Sequence, residues 1–201
     1  DRGCPLVVAG DLKHLRDRWV LAALNGLLAL FEEYTDVPKV LLHGNHDGVG
    51  GGRSGLEAFR RLERTWVVTE PSLTTNVLLP WRGSGVTAFW PYQPALDGLP
   101  AFLAEAKRAK ARVLFAHAFL AGAVLGPDDV RLPGIGATLE QFGLAGKERV
   151  FDWAFLGDVH KQQCLHQDGP ASRMKGGVFY PGSSCAQNWG ERETDKGGLF
   201  V

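Results

Sequence analysis

Val40-Leu41-Leu42-His43-Gly44-Asn45-His46-Asp47 is an apolar run that empties directly into a turn carrying an amide, an imidazole and a carboxylate. The run has the length and composition of a strand buried on both faces, and Gly44 lets the chain turn sharply without a Cβ penalty. Asn and Asp offer hard oxygen donors and His a nitrogen or a proton, the donor types of a metal-assisted phosphoryl-transfer centre. An ordinary polar turn can carry the same tetrapeptide, so the rest of the chain has to decide.

Three more apolar runs end the same way. Leu6-Val7-Val8-Ala9 leads into Gly10-Asp11 with His14 close behind, Val113-Leu114-Phe115-Ala116 into His117, and Ala154-Phe155-Leu156 into Gly157-Asp158-Val159-His160. Open α/β sheets place their sites just beyond such strand ends. Of the six histidines, four (His14, His46, His117 and His160) fall in these transitions, which scattered core or surface histidines would not do. One shared metal site is the economical explanation. His43 and His166 match no such position and read as structural or exposed.

On these motifs the chain resembles the calcineurin-like metallophosphoesterases: Gly10-Asp11 with His14, Gly44-Asn45-His46-Asp47, His117, and Gly157-Asp158-Val159-His160. It is most similar to the DNA-repair exonuclease branch, the SbcD-type nuclease subunits and their phage and viral relatives. The residues that favour this branch are 116–122, Lys161-Gln162-Gln163, Tyr180-Pro181-Gly182-Ser183, Gln187-Asn188-Trp189-Gly190-Glu191 and Lys196-Gly197. The resemblance implies a single α/β domain over residues 1–201, a four-layer α/β/β/α sandwich of two mixed sheets. It implies two divalent cations, Mn²⁺ before Mg²⁺, with Asp11 bridging, Asn45 and His117 on one ion, and His160 with Asp158 on the other. His46 would act on the phosphate as proton donor or stabiliser, Asp47 would hold its imidazole, and His14 would stand near the leaving group. Implied partners are DNA, an SMC-like ATPase subunit of the SbcC type and a second copy of the chain, in the cytoplasm of a bacterium or a phage-infected host.

Two departures from that pattern stand out. Asp158 occupies the place of the first His in the family's Gly-His-x-His motif, an exchange that a hard ion such as Mn²⁺ tolerates. The family's N-terminal Asp-x-His is absent, and Asp1-Arg2-Gly3 is no substitute, so the expectation is a chain truncated at its start. The apolar ending Leu199-Phe200-Val201 carries the same expectation for the capping region at the other end. Besides a DNA exonuclease, two other functions remain open: a phosphatase or small-molecule phosphodiesterase of the same superfamily, and a non-catalytic scaffold with a degenerate metal site.

Composition narrows the classes further. A chain of 201 residues that is 45% hydrophobic and 22% charged can bury a sizeable core, and it contains no apolar run long enough for a membrane span. Its three cysteines, Cys4, Cys164 and Cys185, have unrelated spacing and read as free thiols. Formal net charge is zero, so any attraction for nucleic acid must be local. Arg53, Arg60, Arg61 and Arg64 follow the Asn45-His46 turn and are candidates for phosphate contact, balanced by the reading of a solvated helix face with Leu56, Phe59 and Leu62 turned inward. Gly48-Val49-Gly50-Gly51-Gly52 lacks the spacing and the lysine of a nucleotide-binding P-loop, which argues against an ATPase and for an adaptable loop.

Apolar spacing predicts a helix over residues 12–31 and another from Pro100 to Lys110. Residues 66–68, 76–79 and 86–90, punctuated by Pro and Gly, predict strands of a second sheet. Residues 123–147 read as a long excursion after His117.

Overall fold

The computed structural model describes residues 4–49, 53–75, 85–125, 130–131, 135–168, 175–184 and 196–198. The expected strand at 76–79, most of the glycine loop, the 187–191 segment and the chain's last residues lie outside them. In chain order the elements are β1 (Leu6–Val8), α1 (Leu21–Glu33), β2 (Lys39–Leu42), β3 (Gly48–Val49), β4 (Arg53–Ser54), a 3₁₀ segment (Gly55–Arg61), β5 (Thr65–Val68), β6 (Ser72–Thr74) and β7 (Thr87–Trp90). They continue with α2 (Leu99–Arg108), β8 (Val113–His117), β9 (Val124–Leu125), β10 (Val130–Arg131), β11 (Trp153–Gly157), β12 (Gln163–Gln167) and β13 (Gly177–Tyr180).

This is a mixed α/β fold with several sheets and few helices. β1, β2 and β5 form a parallel sheet in the order β1-β2-β5. A larger sheet runs β12-β13-β11-β8-β7-β6; its four inner strands are parallel to one another and its two edge strands antiparallel. β3-β4 and β9-β10 are short antiparallel pairs. The residues 66–68 had been expected in a second sheet with 86–90; instead β5 pairs with β2 and β7 with β8. The strands that carry the motifs are therefore split: β1 and β2 in the smaller sheet, β8 and β11 in the larger.

Alternation within β2 shows what joins the sheets. Val40 and Leu42 pack with Phe89, Val113, Phe115 and Phe155 of the larger sheet. Leu41, pointing the other way, packs with Phe31 of α1 and with Leu56 and Phe59 of the 3₁₀ segment. A third cluster gathers Leu99, Phe102 and Ala106 of α2 against Leu114, Ala154 and Val178. Across four neighbouring strands Phe89, Phe115, Phe155 and Phe179 stand in register, with successive ring centroids 5.7, 5.4 and 5.9 Å apart. Such cross-strand aromatic pairs stabilise a sheet and pin its register. The strand ends, and with them the motif residues, are thereby held at a common level.

The helix expected over 12–31 begins only at Leu21. Residues before it are held by other bonds: the ammonium of Lys13 takes the carbonyls of Leu15 and Arg16, at 2.5 and 2.6 Å. The expected helix at 100–110 is α2, with Pro100 in its first turn and Lys107 and Arg108 in its last, as the helix dipole favours. The arginine segment is a 3₁₀ turn with Leu56 and Phe59 fully buried. Arg60 is engaged by Glu57, the Val67 carbonyl and Thr69. Arg53, Arg61 and Arg64 are exposed. No helix of the described residues is long and apolar enough to cross a membrane.

Lys39 is a buried cation at the start of β2. It is 1% exposed, donates to the carbonyls of Val37 (2.8 Å) and Tyr34, and lies over the Phe31 ring at 5.6 Å. Burial pushes its pKa below the usual lysine value of 10.5, with Asp36 opposing. The unfolded chain therefore holds this proton more tightly, and between the lowered pKa and 10.5 Lys39 makes stability rise with pH. Lys39→Met removes that contribution. Urea unfolding followed from neutral to alkaline pH should give a flatter curve for the variant, and parallel curves would refute the assignment.

Candidate metal centre

Asp11, His117 and Asp158 converge at the ends of β1, β8 and β11, each with a donor atom within 4.8 Å of the others. His117 Nε2 lies 3.6 Å from Asp11 Oδ2, 3.7 Å from Asp158 Oδ1 and 3.2 Å from Asn45 Oδ1. The other ring nitrogen, Nδ1, donates to the Ala9 carbonyl at 2.8 Å. That bond orients the ring and turns Nε2 toward Asn45, Asp11 and Asp158. One ring nitrogen and three side-chain oxygens then face a common point, a grouping that positive charge would hold together. The donor set, one nitrogen and hard oxygens, suits Mn²⁺ or Mg²⁺.

The backbone is bent to bring these groups together. Asp11 and Asp158 have φ of 56° and 93°, left-handed values uncommon for residues other than glycine. Strain of this kind persists only where surrounding structure enforces it, and it gathers at functional sites. Two glycines permit the close approach: a Cβ on Gly44 would overlap the Asp11 carboxylate, and one on Gly157 would overlap the Ala9 carbonyl. Asp11 Oδ1 accepts from His46 N–H at 2.8 Å, which leaves Oδ2 turned toward His117.

His14 and His46 are brought together beside this cluster. Their rings stack with centroids 5.6 Å apart, and His46 Nδ1 donates to the His14 carbonyl at 2.6 Å. Here the expected role of Asp47 is corrected. Its carboxylate is fully buried and accepts from the N–H groups of Gly44 (2.8 Å), Asp11 (2.8 Å) and Lys13 (3.3 Å). It braces the two loops, and the His14 carbonyl orients His46. The physical reason is that three amides at loop turns need an acceptor more than an exposed-side imidazole does.

His160 is exposed, and no atom of it belongs to the cluster of Asp11, His117 and Asp158. Its charge nonetheless bears on Asp158. Burial pushes the Asp158 carboxyl pKa up; His117 opposes this, Asp11 adds to it, and His160 and His46 oppose it. Asp47 is also pushed up by burial, with the Gly44 amide opposing. Among the described residues, Asp11, His117 and Asp158 are the one group of three such side chains that could hold a cation. His43 is held by Ser54 Oγ at 2.9 Å and His166 by Asp168 at 3.0 Å.

Two residues beside the candidate centre carried no legible signal. Lys13, 5% exposed, shares its three protons among four carbonyls: Leu15 and Arg16, Gly48 (2.9 Å) and His46. It clamps the loop bearing Asp11 and His14 to the turn bearing His46. Tyr92 meets the His117 ring edge-on, with centroids 6.4 Å apart. A lysine between two loop residues and a tyrosine after a strand look the same in sequence whether they face solvent or a site.

Tyr180, first of the Tyr-Pro-Gly-Ser stretch, proves to be a brace. Its buried hydroxyl accepts from Leu120 N–H at 2.9 Å and donates to the Ala118 carbonyl at 2.7 Å, fixing the turn after His117. Tyr180→Phe leaves both groups buried without a partner and should cost about 2 kcal/mol, read as a lowered urea midpoint. A change under about 0.5 kcal/mol would mean the turn relaxes to water. In the same stretch Ser183 N–H donates to the His160 carbonyl at 3.1 Å, so it also holds the last motif in place.

No protein-family model matches the chain, and no curated protein matches it.

Proposed function

We propose that this chain is a metal-dependent phosphodiesterase acting on DNA, a nuclease of the calcineurin-like metallophosphoesterase type. The observation that carries the reading is the convergence of Asp11, Asn45, His117 and Asp158, from four separate strand-end turns, on one point beside His46 and His14. A four-layer sandwich is supported by the way β2 sends Val40 and Leu42 to one cluster and Leu41 to another, with α1 and α2 each packed in a different cluster.

Asp11, Asn45, His117 and Asp158 would hold the first cation; a second would draw on His160 with Asp158. Bound there, divalent cations supply charge neutralisation for the phosphate and an acidified water. The chain's own residues do the rest. Ala9 keeps the proton on His117 Nδ1, so that Nε2 remains a donor to the cation. With Nδ1 held by the His14 carbonyl, His46 would present Nε2 to the phosphate, and as the imidazolium, with a proton on each nitrogen, it would give the Nε2 proton to the leaving oxygen. His14, stacked against it, flanks the leaving group. Exonuclease action with an SMC-like ATPase partner follows from the resemblance alone.

The test is Mn²⁺-dependent release of label from end-labelled linear duplex DNA by the purified protein, beside Asn45→Ala and His46→Ala. Release that needs Mn²⁺ and falls by at least about a hundredfold in both variants supports the reading. If the wild type releases nothing, with or without an ATPase partner, the site is a scaffold remnant or serves a small phosphoester.

A further inference from the structure

A cavity of about 420 Å³ opens between the turn that follows His117 and the segment that follows His160. It shares no residue with the candidate metal centre or with the histidines assigned to the phosphate. Ala121 and Val124 line it from the turn, Leu165 from β12 and Leu139 from the excursion, and Lys161 is the one charged residue of its described lining. We infer that this cavity is a binding site for a small aliphatic carboxylate, held by its charge to Lys161 and by its tail to the alanine, valine and leucine walls. Such a site is independent of the proposed nuclease chemistry and gives the protein a second ligand.

Its walls are fixed before any ligand arrives. Gln163 Oε1 accepts from Val124 N–H at 2.9 Å, and its Nε2 gives its protons to the carbonyls of Val124 (3.0 Å) and Lys161 (3.1 Å). One side chain thus ties the turn after His117 to β12 and to Lys161. Ala121 N–H donates to the Ala137 carbonyl at 2.8 Å, which holds the turn from its other side. Leu139 and Leu165 pack against the core cluster that α2 forms with the larger sheet. A preformed space within the roughly 300–1,000 Å³ range of small-ligand sites results.

The lining chemistry selects the ligand. No aromatic ring and no carboxylate is among the described lining residues, so a base would find nothing to stack on and a cation no hard oxygen side chain. The amide of Gln163 is committed to the protein. The Cys164 thiol donates to the His166 carbonyl at 3.2 Å, and partial burial pushes its pKa above the ordinary 9.0, so it adds no charge at neutral pH. A phosphate group, with several acceptor oxygens, needs several donors. One ammonium among aliphatic walls instead matches one carboxylate on an aliphatic body, and each methylene of that body taken out of water tightens binding roughly fourfold.

The experiment follows alkylation of Cys164 by iodoacetamide, read by peptide mass spectrometry, with octanoate as the probe and Cys4, exposed and outside the cavity, as internal reference. Octanoate in about tenfold excess over its dissociation constant should slow the reaction of Cys164 about fivefold or more and leave Cys4 unchanged. Hexanoate should bind about tenfold less tightly, and Lys161→Gln should weaken octanoate about tenfold or more while circular dichroism reports an intact fold. No protection at millimolar octanoate, equal protection of both cysteines, protection by octanol as strong as by octanoate, or an affinity unmoved by chain length or by Lys161→Gln would overturn the site. Because the assay contains no metal and no nucleic acid, loss of the nuclease reading leaves this result standing, and the reverse also holds.

Discussion

Asp11→Asn should remove most of the stabilisation that Mn²⁺ gives this protein if the proposed metal centre binds it, while raising the melting temperature of the chelator-treated form. Both directions follow from the same geometry. Asp11 Oδ2 and Asp158 Oδ1 each lie within 4 Å of His117 Nε2, and Asp11 is one of the charges that push the Asp158 carboxyl up. Without a cation, the amide relieves that repulsion, keeps an oxygen for His46 N–H, and suits the left-handed φ of 56° better than most side chains. With a cation, it removes one of the two carboxylate charges of the cluster, lowering affinity by about a hundredfold or more.

At Mn²⁺ a hundredfold above its dissociation constant, the wild type gains about 2.7 kcal/mol, or roughly 5–10 °C in a domain of this size. The variant at the same concentration gains about 0.4 kcal/mol or less, which differential scanning fluorimetry resolves easily. An Mn²⁺-dependent shift equal to that of the wild type would show that these donors do not hold the ion.

Lys13→Met carries the largest expected cost in stability, about 3 kcal/mol or more. The substitution leaves the part-buried carbonyls of Leu15, Arg16, His46 and Gly48 facing a thioether, and an acceptor left without a partner where water does not reach it costs about 1–3 kcal/mol. Part of that loss is offset, since burial disfavours the ammonium and pushes its pKa below 10.5. The net remains unfavourable because four acceptors outweigh one desolvated cation already satisfied by them. Lys13→Arg should not rescue, because a planar fork cannot converge on four carbonyls as a compact ammonium does. A urea midpoint within about 0.5 kcal/mol of the wild type would mean that water replaces the clamp.

The metal-centre residues were legible because their signal is local. A buried strand must end, and where several apolar runs end in Asp, Asn or His, the residue types alone announce metal or proton chemistry. What lay beyond reading was every relation between distant segments. Asp47 sits next to His46 in the chain, yet its carboxylate serves the amides of Gly44, Asp11 and Lys13. Tyr180 looked like part of a signature and is a brace for the turn after His117. In each case the partner is set by which loops meet, and adjacency in sequence says nothing about that.

By itself, then, the sequence determined an α/β chain, the strands β1, β2, β8 and β11 to within a residue or two, and candidates for two roles: Asp11, Asn45, His117, Asp158 and His160 as metal ligands, His46, His14 and Asp47 as catalytic residues. Apolar runs and their polar terminations are written within a few residues of one another, so no long-range contact is needed to find them. Only the tertiary structure decided that those strands belong to two sheets and that residues 12–20 form a loop around a buried lysine. It alone brought Asp11, His117 and Asp158 within reach of one another. These depend on Phe89, Phe115, Phe155 and Phe179 meeting Val40 and Leu42 across the two sheets, and on where Lys13 finds carbonyls. Packing and hydrogen-bond satisfaction are settled between segments far apart in the chain, where local pattern carries no information.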